Sequence, residues 1–193
     1  MQDTAEPDRK LKHHFRLSVR ELVAYLPQRG DLSDAVFGTS RQVAGIRIHQ
    51  KIQKKRPEHY TPEVAVAHTV ETEGYVIEIG GRIDGIYHLE GVDVLEEIKT
   101  TGRDLAAVEK SQNPHHWAQL KTYAYIHAAR HNLKTIETCL TYVRLGTYEE
   151  LEIRKTFDFE ELSEHCNRMV SLFVAFADER RQWCQKRNQS IKQ

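Results

Sequence analysis

Apolar residues change their spacing twice along this chain, and the changes mark out its elements. Ser18-Val19-Arg20-Glu21 has the form of a capping box, and Leu22, Val23, Tyr25 and Leu26 follow as an apolar face, predicting a short helix that Pro27 and Gly30 end. Thr39 with Gln42 repeats the cap signature. Val43, Ile46 and Ile52 then recur at helical spacing, so Ser40 to about Lys55 reads as a second helix, with Pro57 and Pro62 marking its exit. Beyond it the period falls to two. Val64, Val66 and Val70 alternate with small or polar residues, Tyr75 to Ile79 does the same after a Glu73-Gly74 turn, Arg82 to His88 continues, and Val92 to Thr100 follows a Glu90-Gly91 turn. Helical composition returns after Asn113-Pro114, a cap with a first-turn proline, and runs to His131. Ile136 to Leu145 and Tyr148 to Phe157 read as a hairpin about Gly146-Thr147. Asp158 with Glu161 caps a last helix striped by Phe159, Leu162, Cys166, Met169, Val170, Phe173 and Phe176.

The order helix, helix, three strands, helix, two strands, helix predicts an α/β fold. Its centre is a mixed β-sheet, a three-stranded antiparallel meander plus a later hairpin, flanked by helices. With 193 residues the chain is long enough for one compact domain and short for two. Residues 1–16, polar and rich in Lys, Arg and His, are expected to form a flexible arm, residues 17–187 a single domain, and residues 188–193 a polar tail.

Lys and Arg number 28, as do Asp and Glu, so no net field draws this chain to a polyanion. Read by position, the charge is segregated. Arg41 to Arg56 holds six basic residues and no acid, whereas Glu58 to Glu97 holds ten acids and one base, Arg82. The apolar runs are only a few residues long and the N-terminus is charged, so no membrane span or signal-peptide core is expected, and a soluble, cytoplasmic protein is. Cys139, Cys166 and Cys184 are odd in number and widely spaced, which disfavours a disulfide framework or zinc ribbon.

The chemistry concentrates in Gly81-Arg82-Ile83-Asp84-Gly85-Ile86 and Leu95-Glu96-Glu97-Ile98-Lys99-Thr100-Thr101. Asp84 interrupts an apolar strand beside a glycine. Glu97 and Lys99, two apart, project from one face of another strand, and antiparallel pairing could bring Asp84 alongside Glu97. Two carboxylates on one face repel unless a cation lies between them, and hard oxygen ligands suit Mg²⁺ or Mn²⁺. An adjacent ammonium can neutralise a phosphate, orient water and stabilise developing charge.

Asp84 followed by Glu97-Ile98-Lys99 resembles the D…E-x-K signature of the PD-(D/E)XK nuclease superfamily. Two further elements resemble its RecB-like branch: His49, in Gly45-Ile46-Arg47-Ile48-His49 before the meander, and Gln119-Leu120-Lys121-Thr122-Tyr123 on the following helix, matching a Q-x-x-x-Y motif. Gln119 and Tyr123, four apart, share a helical face. Leu17 to Val23, Arg29-Gly30-Asp31 and Asn113 to Gln119 further resemble the nuclease-like domain fused to XPD-like or DinG-like helicases. No phosphate-binding Gly-x-x-x-x-Gly-Lys-Ser/Thr loop is present, so a helicase would act as a partner in cis or trans.

The resemblance implies a restriction-endonuclease-like fold and metal-dependent hydrolysis of DNA. Asp84, Glu97, the main-chain carbonyl of Ile98 and His49 would hold Mg²⁺ or Mn²⁺. Lys99 would orient or activate water, with Gln119 and Tyr123 positioning Lys99 or the DNA backbone near the metal. Arg47 and Lys51, expected to flank His49, together with Arg103 and His116, would meet the DNA backbone. Several RecB-like exonucleases carry a four-cysteine iron–sulfur cluster; three cysteines, none upstream of the core, imply no such cluster here. Two alternatives use the same residues: a catalytically inactive nuclease-fold module that binds DNA, and an interaction domain in which Asp84, Glu97 and Lys99 form an internal ion-pair network.

Overall fold

The structure is a computed structural model that describes residues 12–26, 39–89 and 91–191. Among the described residues six strands form one sheet: β1 (His13–Ser18), β2 (Tyr60–Glu71), β3 (Tyr75–Leu89), β4 (Val92–Thr101), β5 (Thr135–Arg144) and β6 (Glu150–Asp158). The helices are α1 (Val19–Val23), α2 (Thr39–Gln53), α3 (Leu105–Lys110), α4 (Pro114–His131) and α5 (Phe159–Ile191). The meander β2–β3–β4 and the hairpin β5–β6 are antiparallel, joined by parallel pairing of β4 with β5 across the α3–α4 crossover. This is the mixed sheet expected from the sequence.

The helix ends are held as the caps predict. The Ser18 hydroxyl accepts from the Glu21 amide at 3.1 Å while the Glu21 carboxylate accepts from the Ser18 amide at 2.8 Å. Asn113 and Asp158 accept from the amides of His115 and Glu161. Leaving α4, Asn132 takes a left-handed conformation (φ 54°), which closes the last turn. The side chains of Thr39 and Gln42, and the Arg29-Gly30-Asp31 segment, lie outside the described residues.

Both flanks of the expected domain carry regular structure. The polar arm was expected to reach residue 16, but His13–Ser18 pairs in parallel with β3 from Tyr75 to Gly80. This strand's partner is some sixty residues away, so its formation depends on the finished sheet; Phe15 then packs edge-on against Phe173 and beside Tyr75. At the other end, α5 continues beyond its apolar stripe through the start of the polar tail, as far as Ile191.

β3 organises the sheet. Residues 76–80 pair with both β1 and β2, and residues 85–87 with both β2 and β4. β1 and β4 therefore occupy the same edge of β3, one toward each end. Among the described residues, Gly81, Arg82, Ile83 and Asp84 lie between them without a strand partner on that edge, so the sheet forks there. The main core packs α1, α4 and α5 on the sheet through Leu22, Ile79, Leu95, Leu120, Leu140, Leu162 and Met169. A smaller cluster docks α2, with Ile48 and Ile52 against Ile98 and Val143. At about 1.5–3 kcal/mol for each side chain fully removed from water, these contacts set the rotation of α2 and with it the direction of His49.

Candidate active site

The fork is closed by side chains. Gly85 pairs with Glu96, and the same register continued by one step sets Asp84 opposite Glu97. There the strands part, and the Asp84 carboxylate takes over the hydrogen bond, accepting from the Ile98 amide at 2.7 Å. A residue's N–H and C=O point to the same edge of its strand, so the Ile98 carbonyl also faces the fork. From the other side Tyr123 fills the space above Gly81. A Cβ at Gly81 would lie 2.7 Å from the Tyr123 hydroxyl, which is why the position has no side chain.

Glu97 is the centre of the cluster and is 2% exposed. Its Oε1 accepts from the Lys99 ammonium at 2.7 Å and from the Gln119 carboxamide nitrogen at 2.8 Å, while the Gln119 oxygen accepts from Lys99 at 2.9 Å. Among the described residues its Oε2 is buried without a hydrogen-bond partner. Burial and the neighbouring Asp84 carboxylate push the Glu97 pKa up to about 7, against the opposing pull of Lys99 and His49. Tyr123, raised to about 12 by burial and by Glu97, stays a protonated phenol. His49 Nδ1 lies 3.4 Å from Asp84 Oδ1.

A buried carboxylate oxygen without a donor, beside a second carboxylate, is poorly satisfied by protein alone. The donor set Asp84, Glu97, Ile98 carbonyl and His49 fits a hard divalent cation, which would supply the missing charge. Asp84, Glu97, Lys99, Gln119, Tyr123 and His49 are thus brought together from β3, β4, α4 and α2.

No family model matches the chain, and no curated protein matches it in sequence. Among solved structures it is similar to the alkaline exonuclease LHK-Exo of Laribacter hongkongensis, with a TM-score of 0.53, 10% identity, and coverage of 90% of this chain and 94% of that one. The complex of LHK-Exo with dAMP gives a TM-score of 0.54 at 10% identity, covering 91% and 94%. SSO0001 gives 0.54 at 20% identity, covering 88% of this chain and 79% of its own. The chain has the same fold as LHK-Exo.

Within this nuclease fold the remaining predicted residues fall differently. At 100° per residue, Arg47 and Lys51 lie about 200° around α2 from His49, so they project from its far side and do not flank it. Both are exposed, and the Lys51 ammonium sits 3.8 Å above the Tyr148 ring at the β5–β6 turn. His116, expected to meet the DNA backbone, is a poor anion ligand. Burial and the nearby Lys99 push its pKa down to about 3, so it is neutral at physiological pH, and its Nδ1 lies 3.0 Å from the Tyr142 hydroxyl. Arg103 is exposed past the end of β4, its amide donating to Thr101 Oγ1 at 3.0 Å.

The basic run is also partly consumed. Arg56 turns inward to Glu96, fully buried, at 2.6 Å and to Glu150 at 3.0 Å, with Thr141 donating to the same Glu96 carboxylate. Glu96, Cys139 and Glu152 lie close enough to share a cation, but the Arg56 guanidinium already holds Glu96 and approaches Glu152 at 3.8 Å. This is a buried ion-pair network on the sheet face opposite Glu97, since successive strand residues alternate.

The sequence reading missed Gln53 and Glu63 beside Asp84. Gln53 donates to Glu63 at 3.0 Å and to the Asp84 carbonyl at 2.9 Å. Its spacing of four from His49 was the available signal. Among the described residues no helix is long and apolar enough to cross a membrane.

Proposed function

We propose that this chain is a divalent-metal-dependent deoxyribonuclease of the PD-(D/E)XK superfamily, in its RecB-like branch, hydrolysing phosphodiester bonds of DNA in an exonuclease-like manner. The observation that carries this reading is the pairing of a buried, donorless Glu97 oxygen with Asp84 on one side and a fixed Lys99 ammonium on the other. An exonuclease fold whose solved neighbour binds a nucleotide supports it.

Asp84, Glu97, the Ile98 carbonyl and His49 would hold Mg²⁺ or Mn²⁺. When bound, the ion supplies Lewis-acid polarisation of the phosphoryl group and charge stabilisation at the leaving oxygen. Lys99 orients the attacking water and presents a fixed positive charge to the phosphoryl oxygens as negative charge develops on them. Gln119 holds Lys99 and Glu97 in register, receiving from one and donating to the other. Tyr123 packs over Gly81 and keeps the fork closed behind them. Arg103 is the exposed cation from the sequence reading that remains a candidate for the DNA backbone.

The test is cleavage of end-labelled single- and double-stranded DNA in Mg²⁺, Mn²⁺ or EDTA by wild type, Asp84→Asn and Lys99→Ala. Cleavage is expected with metal alone, and Lys99→Ala is expected to lose about 10²–10³ in kcat, the cost of one preorganised charge stabiliser. Undiminished cleavage in both variants overturns the assignment. DNA binding without cleavage in either metal marks an inactive binding module instead.

A further inference from the structure

α2 grips Asp84 at two points. His49 faces its carboxylate, and one turn later on the same helical face Gln53 donates to its carbonyl at 2.9 Å. That carbonyl needs a donor because the ladder is broken there. β2 and β3 pair at Pro62–Gly85 and at Val64–Ile83, but the Glu63–Asp84 pair between them is absent, and Glu63 has φ 57°. This left-handed conformation is rare for a residue with a long side chain and rarer still within a strand. On its other edge Asp84 lies in the fork, so among the described residues no strand pairs with it on either side.

The displaced Glu63 side chain is fully used. Its Oε1 accepts from Gln53 at 3.0 Å and its Oε2 from the Arg82 guanidinium at 3.2 Å. Gln53 is nearly buried, and its amide nitrogen therefore has one partner for each of its two hydrogens. An uninterrupted ladder would need none of this. Backbone outliers of this kind cluster where strain is tied to a site, and bulges and breaks beside active sites re-aim side chains.

We propose that Gln53 is a positioning residue for Asp84, oriented by Glu63, and that it presets the Asp84 carboxylate for the divalent cation. The proposal rests on the nuclease reading above and adds a residue to it. Gln53 sets the Asp84 peptide plane through its carbonyl while the Ile98 amide fixes the carboxylate, so the side chain has little freedom left to lose when the ion binds. Glu63 keeps the Gln53 amide from rotating away.

The experiment measures Mn²⁺ affinity by calorimetric titration of the full chain, alongside kcat, KM for DNA and melting temperature. The variants are Gln53→Met, Glu63→Gly and Glu63→Gln. Gln53→Met keeps the side-chain length without a donor, and is expected to weaken Mn²⁺ binding or kcat about 10- to 100-fold, as loss of an outer partner of a metal ligand does, with KM for DNA unchanged. Glu63→Gly accepts the left-handed backbone without strain and removes the side chain that holds Gln53, so it should lose function in the same direction while folding. Glu63→Gln keeps an oxygen for Gln53 but loses the acceptor for Arg82, and should recover most of the Mn²⁺ affinity and kcat lost in Glu63→Gly.

Wild-type Mn²⁺ affinity and kcat in both Gln53→Met and Glu63→Gly overturn the proposal and leave the nuclease reading intact. A fall in melting temperature with Mn²⁺ affinity and kcat unchanged makes Gln53 merely structural and also overturns it. A wild-type chain that neither binds Mn²⁺ nor cleaves DNA removes the nuclease reading, and this proposal with it.

Discussion

The Gln119 carboxamide oxygen accepts a hydrogen bond from the Lys99 ammonium at 2.9 Å, tying the central helix to the strand that carries the charged pair. Gln119 is buried, and the other end of its amide is spent on Glu97. Gln119→Leu should therefore leave Lys99 with one protein acceptor and Glu97 with one donor fewer. We expect a loss of about 1–3 kcal/mol in urea denaturation and of about 10- to 100-fold in single-turnover cleavage. A variant that melts earlier but cleaves normally would remove Gln119 from the machinery.

Glu97 makes the metal-free chain sensitive to pH in a defined direction. Its folded pKa, about 7, lies above the ordinary 4.5. The folded state thus holds a proton that the unfolded state releases, so its contribution to stability is full below about 4.5 and is lost as pH rises through about 7. Thermal melts in EDTA should fall across that window in wild type and flatten in Glu97→Gln. Added Mn²⁺ should raise the melting temperature more at pH 8 than at pH 5, because a cation binds the ionised carboxylate.

Gly81→Ala tests the packing of Tyr123. The new methyl would meet the Tyr123 hydroxyl at 2.7 Å and its ring edge at 2.9 Å, so the tyrosine must retreat from the fork. Overpacking of this kind costs about 1–3 kcal/mol. Cleavage should fall with it, and Gly81→Ala with Tyr123→Phe, which shortens the colliding side chain by its hydroxyl, should recover part of the stability in denaturant titration.

Arg56 and Glu96 form the contrasting case. Arg56→Met leaves a fully buried carboxylate without its cation and should cost about 3–5 kcal/mol. Arg56→Met with Glu96→Leu should restore most of that loss in a double-mutant cycle. Neither change should shift Mn²⁺ affinity, because Glu96 and Glu97 are neighbours in the chain on opposite faces of the sheet.

Much of the site was legible because it is written in local periodicity. Glu97 and Lys99 share a face by the period of two, Gln119 and Tyr123 by the spacing of four, and the Ser18, Asn113 and Asp158 caps declare themselves within three residues. What stayed hidden depends on partners distant in sequence. β1 is a polar, exposed hexapeptide that becomes a strand only once β3 offers an edge. Arg56 stands in the basic run of residues 41–56, and nothing in its neighbours reveals that Glu96 waits forty residues away in the core. The far-side placement of Arg47 and Lys51 was legible from helical geometry alone, since residues two apart on a helix face nearly opposite ways.

The fork in the sheet decides which substitution at Asp84 can test the proposed chemistry. Asp84 performs two jobs with one carboxylate, since the group that would bind an ion also replaces a missing rung between β3 and β4. Truncation to alanine removes both at once and cannot distinguish lost chemistry from an unzipped sheet. Asparagine keeps an oxygen for the Ile98 amide while discarding the charge. At this position, the isosteric substitution separates the reagent from the rivet.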